Sequence, residues 1–147
     1  VDVNSEILKV INMIKRRLKG KDISIVSKLA PDLPSIPCCP GHIKQILLNL
    51  IKNAEEAMHP DNKRLIIIST EEDSGFVKLG VSDTGFGIPE EMIKKVFSPL
   101  FTSKADGTGL GLSICREIAQ KYGGDIKIES KETGTSATVS LPTGEHG

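Results

Sequence analysis

The 147-residue chain predicts a two-layer α/β domain: a mixed, mostly antiparallel sheet of about five strands covered on one face by three helices. Three observations carry that expectation. Three stretches repeat apolar residues at helical spacing, several shorter ones are β-branched or alternate with polar residues, and the last two of these are joined by a tight turn through Gly134. Hydrophobic residues make up 38% of the chain and charged ones 26%, enough apolar material to close one core without disulfide or metal staples.

The first helix starts behind Asn4 or Ser5, either of which can cap it, and carries Ile7, Leu8, Ile11, Ile14 and Leu18 until Gly20 ends it. Lys15, Arg16, Arg17 and Lys19 read as its solvated face and basic end. Ile23 and Ile25 alternate with polar neighbours as a strand, after which Pro31, Pro34, Pro37 and Pro40 exclude a helix between Leu29 and Cys39. From Gly41 to Met58 a second helix presents Ile43, Ile46, Leu47, Leu50, Ile51, Ala54, Ala57 and Met58 as a stripe wide enough to lie on a sheet. Leu65 to Thr70 forms a buried strand, and the turn Asp73-Ser74-Gly75 leads into alternating Val77, Leu79 and Val81, ending at Asp83.

Between Gly85 and Gly111 only a short helix, Glu90 to Val96, is expected, with a loop holding Ser98, Pro99, Ala105 and Asp106. The third long helix places Leu112, Cys115, Ile118, Ala119 and Tyr122 on one face and stops at Gly123-Gly124. Ile126 and Ile128 then pair with Ala137, Val139 and Leu141. No internal repeat occurs; one domain spans residues 1–142, with 143–147 a loose tail.

Composition excludes several classes of function. Nineteen basic side chains balance 19 acidic ones and aromatics are 3%, so neither a basic face nor stacking platforms for nucleic acid are expected. The longest apolar runs, such as Leu65 to Ile68, fall far short of the ~20 residues that span a bilayer. Cys38, Cys39 and Cys115 show no metal-binding spacing and are expected to be reduced thiols acting as small apolar fillers. The chain opens on Val1 rather than Met and is read as a piece of something longer.

Three segments are richer in polar and glycine residues than a core requires. In Asn49-Leu50-Ile51-Lys52-Asn53-Ala54 the two asparagines lie one helical turn apart at the edge of the apolar stripe. An asparagine carbonyl is a hard neutral oxygen able to complete the shell of a Mg²⁺ held by phosphates; two border asparagines bonding backbone are the bland alternative. Asp83-Thr84-Gly85-Phe86-Gly87-Ile88-Pro89 sets a carboxylate at a strand end before glycines that let a flat ligand approach, which suits an exocyclic amine such as adenine's. An ordinary Asp-led turn is the competing reading there. Gly107-Thr108-Gly109-Leu110-Gly111-Leu112-Ser113 runs into the third helix, whose free N–H groups suit phosphate; it is neither a Walker loop nor a dinucleotide fingerprint.

With these residues in hand, the sequence resembles the ATP-binding catalytic domain of two-component sensor histidine kinases, in the group that includes gyrase, Hsp90 and MutL. Asn49–Ala54 matches that family's N box, Asp83–Gly87 the first glycine box, Phe97–Phe101 the F box and Gly107–Gly111 the second glycine box. The segments Phe101-Thr102-Ser103-Lys104 and Asn53-Ala54-Glu55-Glu56-Ala57 most resemble the nitrogen-regulator type.

The resemblance implies a Bergerat-type fold that binds ATP with Mg²⁺. By it, Asn53 is the metal ligand and Asp83 accepts from the adenine amine, with Gly85, Gly87 and Ile88 shaping the base pocket. Phe97 to Thr108 form a lid anchored by the two phenylalanine rings; Thr102, Lys104, Gly107, Thr108, Gly109, Leu110, Gly111 and Leu112 surround the phosphates, Lys104 contacting the terminal one. Thr138 reaches adenine through water, with Thr135 as competitor on alternation. Where hydrolysing relatives carry a glutamate, Asn49 is an amide without useful basicity, so the γ-phosphoryl group is kept for another nucleophile.

None of His42, His59 and His146 has the setting of the family's acceptor histidine, which lies on a separate dimerisation domain. The implied partners are that domain and a response regulator, the implied location is cytoplasmic, and the fragment is expected to be monomeric. Glu56 stands where many relatives carry a lysine and is expected to point to solvent. An anti-sigma-type serine kinase and a non-catalytic nucleotide-sensing module share these boxes and stay open as alternatives.

Overall fold

The computed structural model describes residues 1–56, 64–84, 111–131 and 134–144. Among these the elements run α1 (Val3–Gly20), β1 (Ser24–Lys28), α2 (Pro40–Glu56), β2 (Leu65–Asp73), β3 (Phe76–Asp83), α3 (Gly111–Lys121), β4 (Asp125–Lys131) and β5 (Gly134–Pro142). The expected short helix over 90–96 and the last turn of the second helix at 57–58 lie outside the described residues.

The five strands form one sheet in the order β1-β2-β3-β5-β4. β1 runs parallel to β2, from Ser24↔Leu65 to Lys28↔Ser69, and the other pairs are antiparallel. Strand alternation explains the layering. Ile66 and Ile68 of β2, Val77, Leu79 and Val81 of β3, Ala137, Val139 and Leu141 of β5 and Ile126 and Ile128 of β4 are all buried. They form one core with Ile7, Val10, Ile14 and Leu18 of α1 and Ile43, Ile46, Leu47 and Leu50 of α2. The predicted two-layer fold is the observed one. In the last hairpin Ile126 lies opposite Val139 and Ile128 opposite Ala137, as expected, whereas Leu141 lies beyond the end of β4 and faces Val77 of β3 instead.

Local chemistry fixes the ends of the elements. Asp2, rather than Asn4 or Ser5, caps α1: its backbone is extended and its side chain accepts from the Ser5 N–H at 3.2 Å. Asn4 is occupied elsewhere, donating to the Ala30 carbonyl at 2.7 Å while its Oδ1 accepts from the Thr70 hydroxyl at 2.9 Å. At the other end of α1, Arg17 is more than a solvated charge, because its guanidinium meets Glu55 Oε2 at 2.8 Å and Lys21 reaches the same oxygen at 3.7 Å. These contacts tie the C-terminal ends of α1 and α2 together.

The β2–β3 turn has left-handed backbone at Ser74 and Gly75 (φ 54° and 84°), the geometry a two-residue hairpin demands. After α3 the chain passes so close to β5 that a Cβ on Gly124 would stand 1.7 Å from the Ser140 carbonyl oxygen. Thr143, placed by the sequence reading in a loose tail, is held: its N–H donates to the Gly75 carbonyl at 2.9 Å and the residue is buried. The cysteines divide as well. Cys115 is the expected buried filler, whereas Cys39 is exposed and Cys38 only half-buried, because both lie in the proline-broken segment outside the core.

Candidate functional site

Asp83 is the last residue of β3, which lies in the middle of the sheet with β2 on one side and β5 on the other. It continues the alternation of Val77, Leu79 and Val81, so its side chain stands on the helix-covered face at the rim of the core. The surrounding backbone is clamped. Asp83 lies opposite Ile66, while Thr84 Oγ1 accepts from the Leu65 N–H at 3.0 Å and the Thr84 N–H donates to the Leu65 carbonyl at 3.3 Å.

From the other side the start of β5 presses in. Gly134 has φ 150°, and a Cβ there would lie 1.9 Å from the Asp83 carbonyl oxygen, so only glycine permits this approach. The next residue, Thr135, donates its N–H to Asp83 Oδ1 at 3.4 Å. Thr138 lies elsewhere, opposite Gly80 and Lys127 on the outer face, where a Cβ on Gly80 would come within 3.7 Å of its Oγ1. Of the two threonines the structure therefore brings Thr135, and not Thr138, to Asp83. The two lie three positions apart, and an odd spacing along a strand puts them on opposite faces; Thr135 shares the parity of the buried Ala137 and Val139, the alternation that made it the competitor in the sequence.

Asn49 and Asn53 sit one turn apart on α2, both half-buried, beside the buried Leu50 and Ala54. The Asn49 Nδ2 atom is buried and has no hydrogen-bond partner. Across from it is α3. Cys115 is fully buried there, its thiol donating to the Ile46 carbonyl at 3.7 Å. Burial pushes that thiol up to about 12, and the weaker influence of the neighbouring Asn49 side chain pulls the other way.

At the opposite end of the helix pair the Tyr122 and His42 rings meet edge to face, centroids 5.5 Å apart. Cys115 beside Ile46 and Tyr122 beside His42 mean that α3 runs antiparallel to α2. Its N-terminus, Gly111 and Leu112, therefore points along the half of α2 that carries Asn49 and Asn53. Glu56 closes α2 half-buried rather than fully exposed. Gly85, Gly87, Ile88, Thr102, Lys104, Gly107, Thr108, Gly109 and Leu110, with the F-box phenylalanines, lie outside the described residues.

Residues 39–145 match the family model described as histidine kinase-, DNA gyrase B-, and HSP90-like ATPase. The chain belongs to that family. Sensor protein TdiS of Thauera aromatica is 34% identical over 96% of this chain, which spans 27% of it; sensor histidine kinase ZraS of Escherichia coli K12 is 34% identical over 97%, and the chain spans 30% of it. The solved catalytic domain of histidine kinase ThkA superposes with a TM-score of 0.87 at 34% identity, covering 97% of this chain and 93% of that one. ThkA has also been solved in complex with response regulator protein TrrA, where 31% identity and a TM-score of 0.82 extend over 97% of this chain and 41% of that one. The chain is thus the ATP-binding catalytic domain of a sensor histidine kinase, as its boxes implied.

Proposed function

We propose that this domain presents Mg-ATP to a histidine on a separate dimerisation domain, from which the phosphoryl group passes to an aspartate of a response regulator. Two observations support it best: a clamped strand-end carboxylate, Asp83 beside Thr135, on the helix-covered face of the sheet, and, on the helix α2 that shares the core with that face, an asparagine pair of which one buried amide nitrogen has no hydrogen-bond partner. Asp83 would accept from the adenine amine. A buried carboxylate left facing a carbonyl would reject guanine. Gly85, Gly87 and Ile88 would wall the base pocket. Thr102, Lys104, Gly107–Gly111 and Leu112 would hold the phosphates at the start of α3, where free N–H groups and the helix dipole favour anions.

The donor set also bears on magnesium. Among the described residues no group of three or more His, Cys, Asp or Glu is able to hold a metal ion by itself. A single amide oxygen, that of Asn53, fits an ion that arrives already bound by phosphate oxygens. When bound, Mg²⁺ supplies charge neutralisation for phosphoryl transfer. The chain's own contribution is position: Asn53 orients the phosphates, and Asn49, an amide without a basic atom, does not activate water.

Response-regulator pairing, as in the ThkA complex, belongs to the parent protein, as does any membrane attachment; no described helix is long and apolar enough to cross a membrane. We place the domain in the cytoplasm as a monomer. The test is reconstitution. With radiolabelled ATP, Mg²⁺ and a separately prepared acceptor domain, acid-labile label should accumulate on the acceptor and none on this chain, with little release of inorganic phosphate. Label retained on this chain, or rapid hydrolysis without transfer, overturns the proposal.

A further inference from the structure

We propose that Cys38 and Cys39, at the entry to α2, form a two-thiol site for a soft trivalent electrophile of the arsenical class. The pair lies at the end of the α2–α3 packing remote from Asn49 and Asn53. Cys39 is exposed and Cys38 half-buried, so both sulfurs are reachable, unlike Cys115. Cys38 turns its side chain forward along the chain, its thiol 3.5 Å from the Cys39 carbonyl oxygen. Cys39 lies over the first turn of α2, its sulfur 3.8 Å from where a Cβ on Gly41 would stand.

One phenol gathers the group. Tyr122 accepts from the Cys39 N–H at 3.3 Å and shares a hydrogen bond with His42 Nδ1 at 2.5 Å, and its hydroxyl also interacts with the Cys38 sulfur. Burial pushes the Cys38 thiol up, so at neutral pH it is the S–H form that meets a ligand.

Coordination chemistry selects the ligand class. A structural zinc site takes four ligands, and among the described residues no group of three or more His, Cys, Asp or Glu is placed to hold a metal ion. Trivalent arsenic is pyramidal, with sharp S–As–S angles, and a mono-organoarsenical needs only two sulfurs, which neighbouring residues supply. The step balances: an organoarsenic(III) oxide and two thiols give a cyclic dithioarsonite and water. Two S–H bonds break, two As–S bonds form, and the oxide oxygen leaves with both protons. Arsenic stays trivalent, and no oxidant enters.

The experiment treats the whole 147-residue chain with phenylarsine oxide in excess glutathione, which strips singly bound arsenic, followed by intact-mass analysis and titration of free thiols. One adduct per chain is expected, with titratable thiols after unfolding falling from three to one. 2,3-Dimercaptopropanol should reverse it. Cys38→Ser and Cys39→Ser should each lose the adduct while keeping the parent melting temperature, and Cys115→Ser should retain it. No adduct on the parent chain, an adduct surviving in either single variant, or its loss in Cys115→Ser would overturn the assignment.

Discussion

The two ends of the α2–α3 pair use their polar groups in opposite ways. At the Cys39 end a main-chain N–H, an imidazole and a phenol satisfy one another. At the Asn49 end an amide nitrogen is buried with no partner, and a second asparagine stands one turn further on. Leaving a buried donor unpaired costs about 1–3 kcal/mol, which a chain tolerates where a ligand is to be met. The comparison teaches which end to read as the nucleotide end. Both rest on the same floor of Ile43, Ile46 and Leu47, all fully buried.

The largest effect should come from that shared floor. Ile46→Ala leaves a cavity beneath both ends and should cost about 2–5 kcal/mol in urea unfolding, lowering stability and ATP affinity together; a variant as stable as the parent would mean that the ends do not share one framework. Next, Asp83→Asn separates function from stability. Calorimetric ATP affinity should fall about a hundredfold or more with the unfolding midpoint unchanged, as expected for a lost hydrogen bond to a charged acceptor. Unchanged affinity would remove Asp83 from base recognition.

Asn53→Ala should be milder, a loss of about tenfold that appears only with Mg²⁺ present. If the variant still binds ATP more tightly with Mg²⁺ than without, Asn53 is not the ligand. The smallest change belongs to the other end. Tyr122→Phe removes the hydroxyl that joins Cys39 and His42 and should lower Tm slightly while leaving ATP affinity unaltered; an affinity loss matching that of Asn53→Ala would show the two ends to be coupled.

Much of this was legible before coordinates. The apolar periods at Ile43–Ile51 and the alternation at Val77–Val81 are the direct imprint of burial on one face, so layers and register could be read from them. The Asp2 cap escaped because Asp, Asn and Ser are near-equal caps, and only the distant partners of Asn4, Ala30 and Thr70, decide between them. Between Thr138 and Thr135 the sequence leaves the choice open, because the family resemblance points to the first and strand alternation to the second. The exposure of Cys38 and Cys39 was hidden too, since thiol chemistry alone does not distinguish a filler from a surface group. Asp83 and the asparagine pair could be found because a strand-end carboxylate and border amides stand out against an apolar background.

The parallel pairing of β1 with β2 has a consequence for how the molecule assembles. Ser24 meets Leu65 only after the intervening chain, α2 included, has been looped across the sheet. Such a closure is entropically slow compared with the β2–β3 and β4–β5 hairpins, whose partners are near neighbours in the chain. The helix bearing Asn49 and Asn53 is therefore carried on the crossover itself. In a refolding time course the hairpins should register first, and competence to capture nucleotide should emerge with the slowest phase.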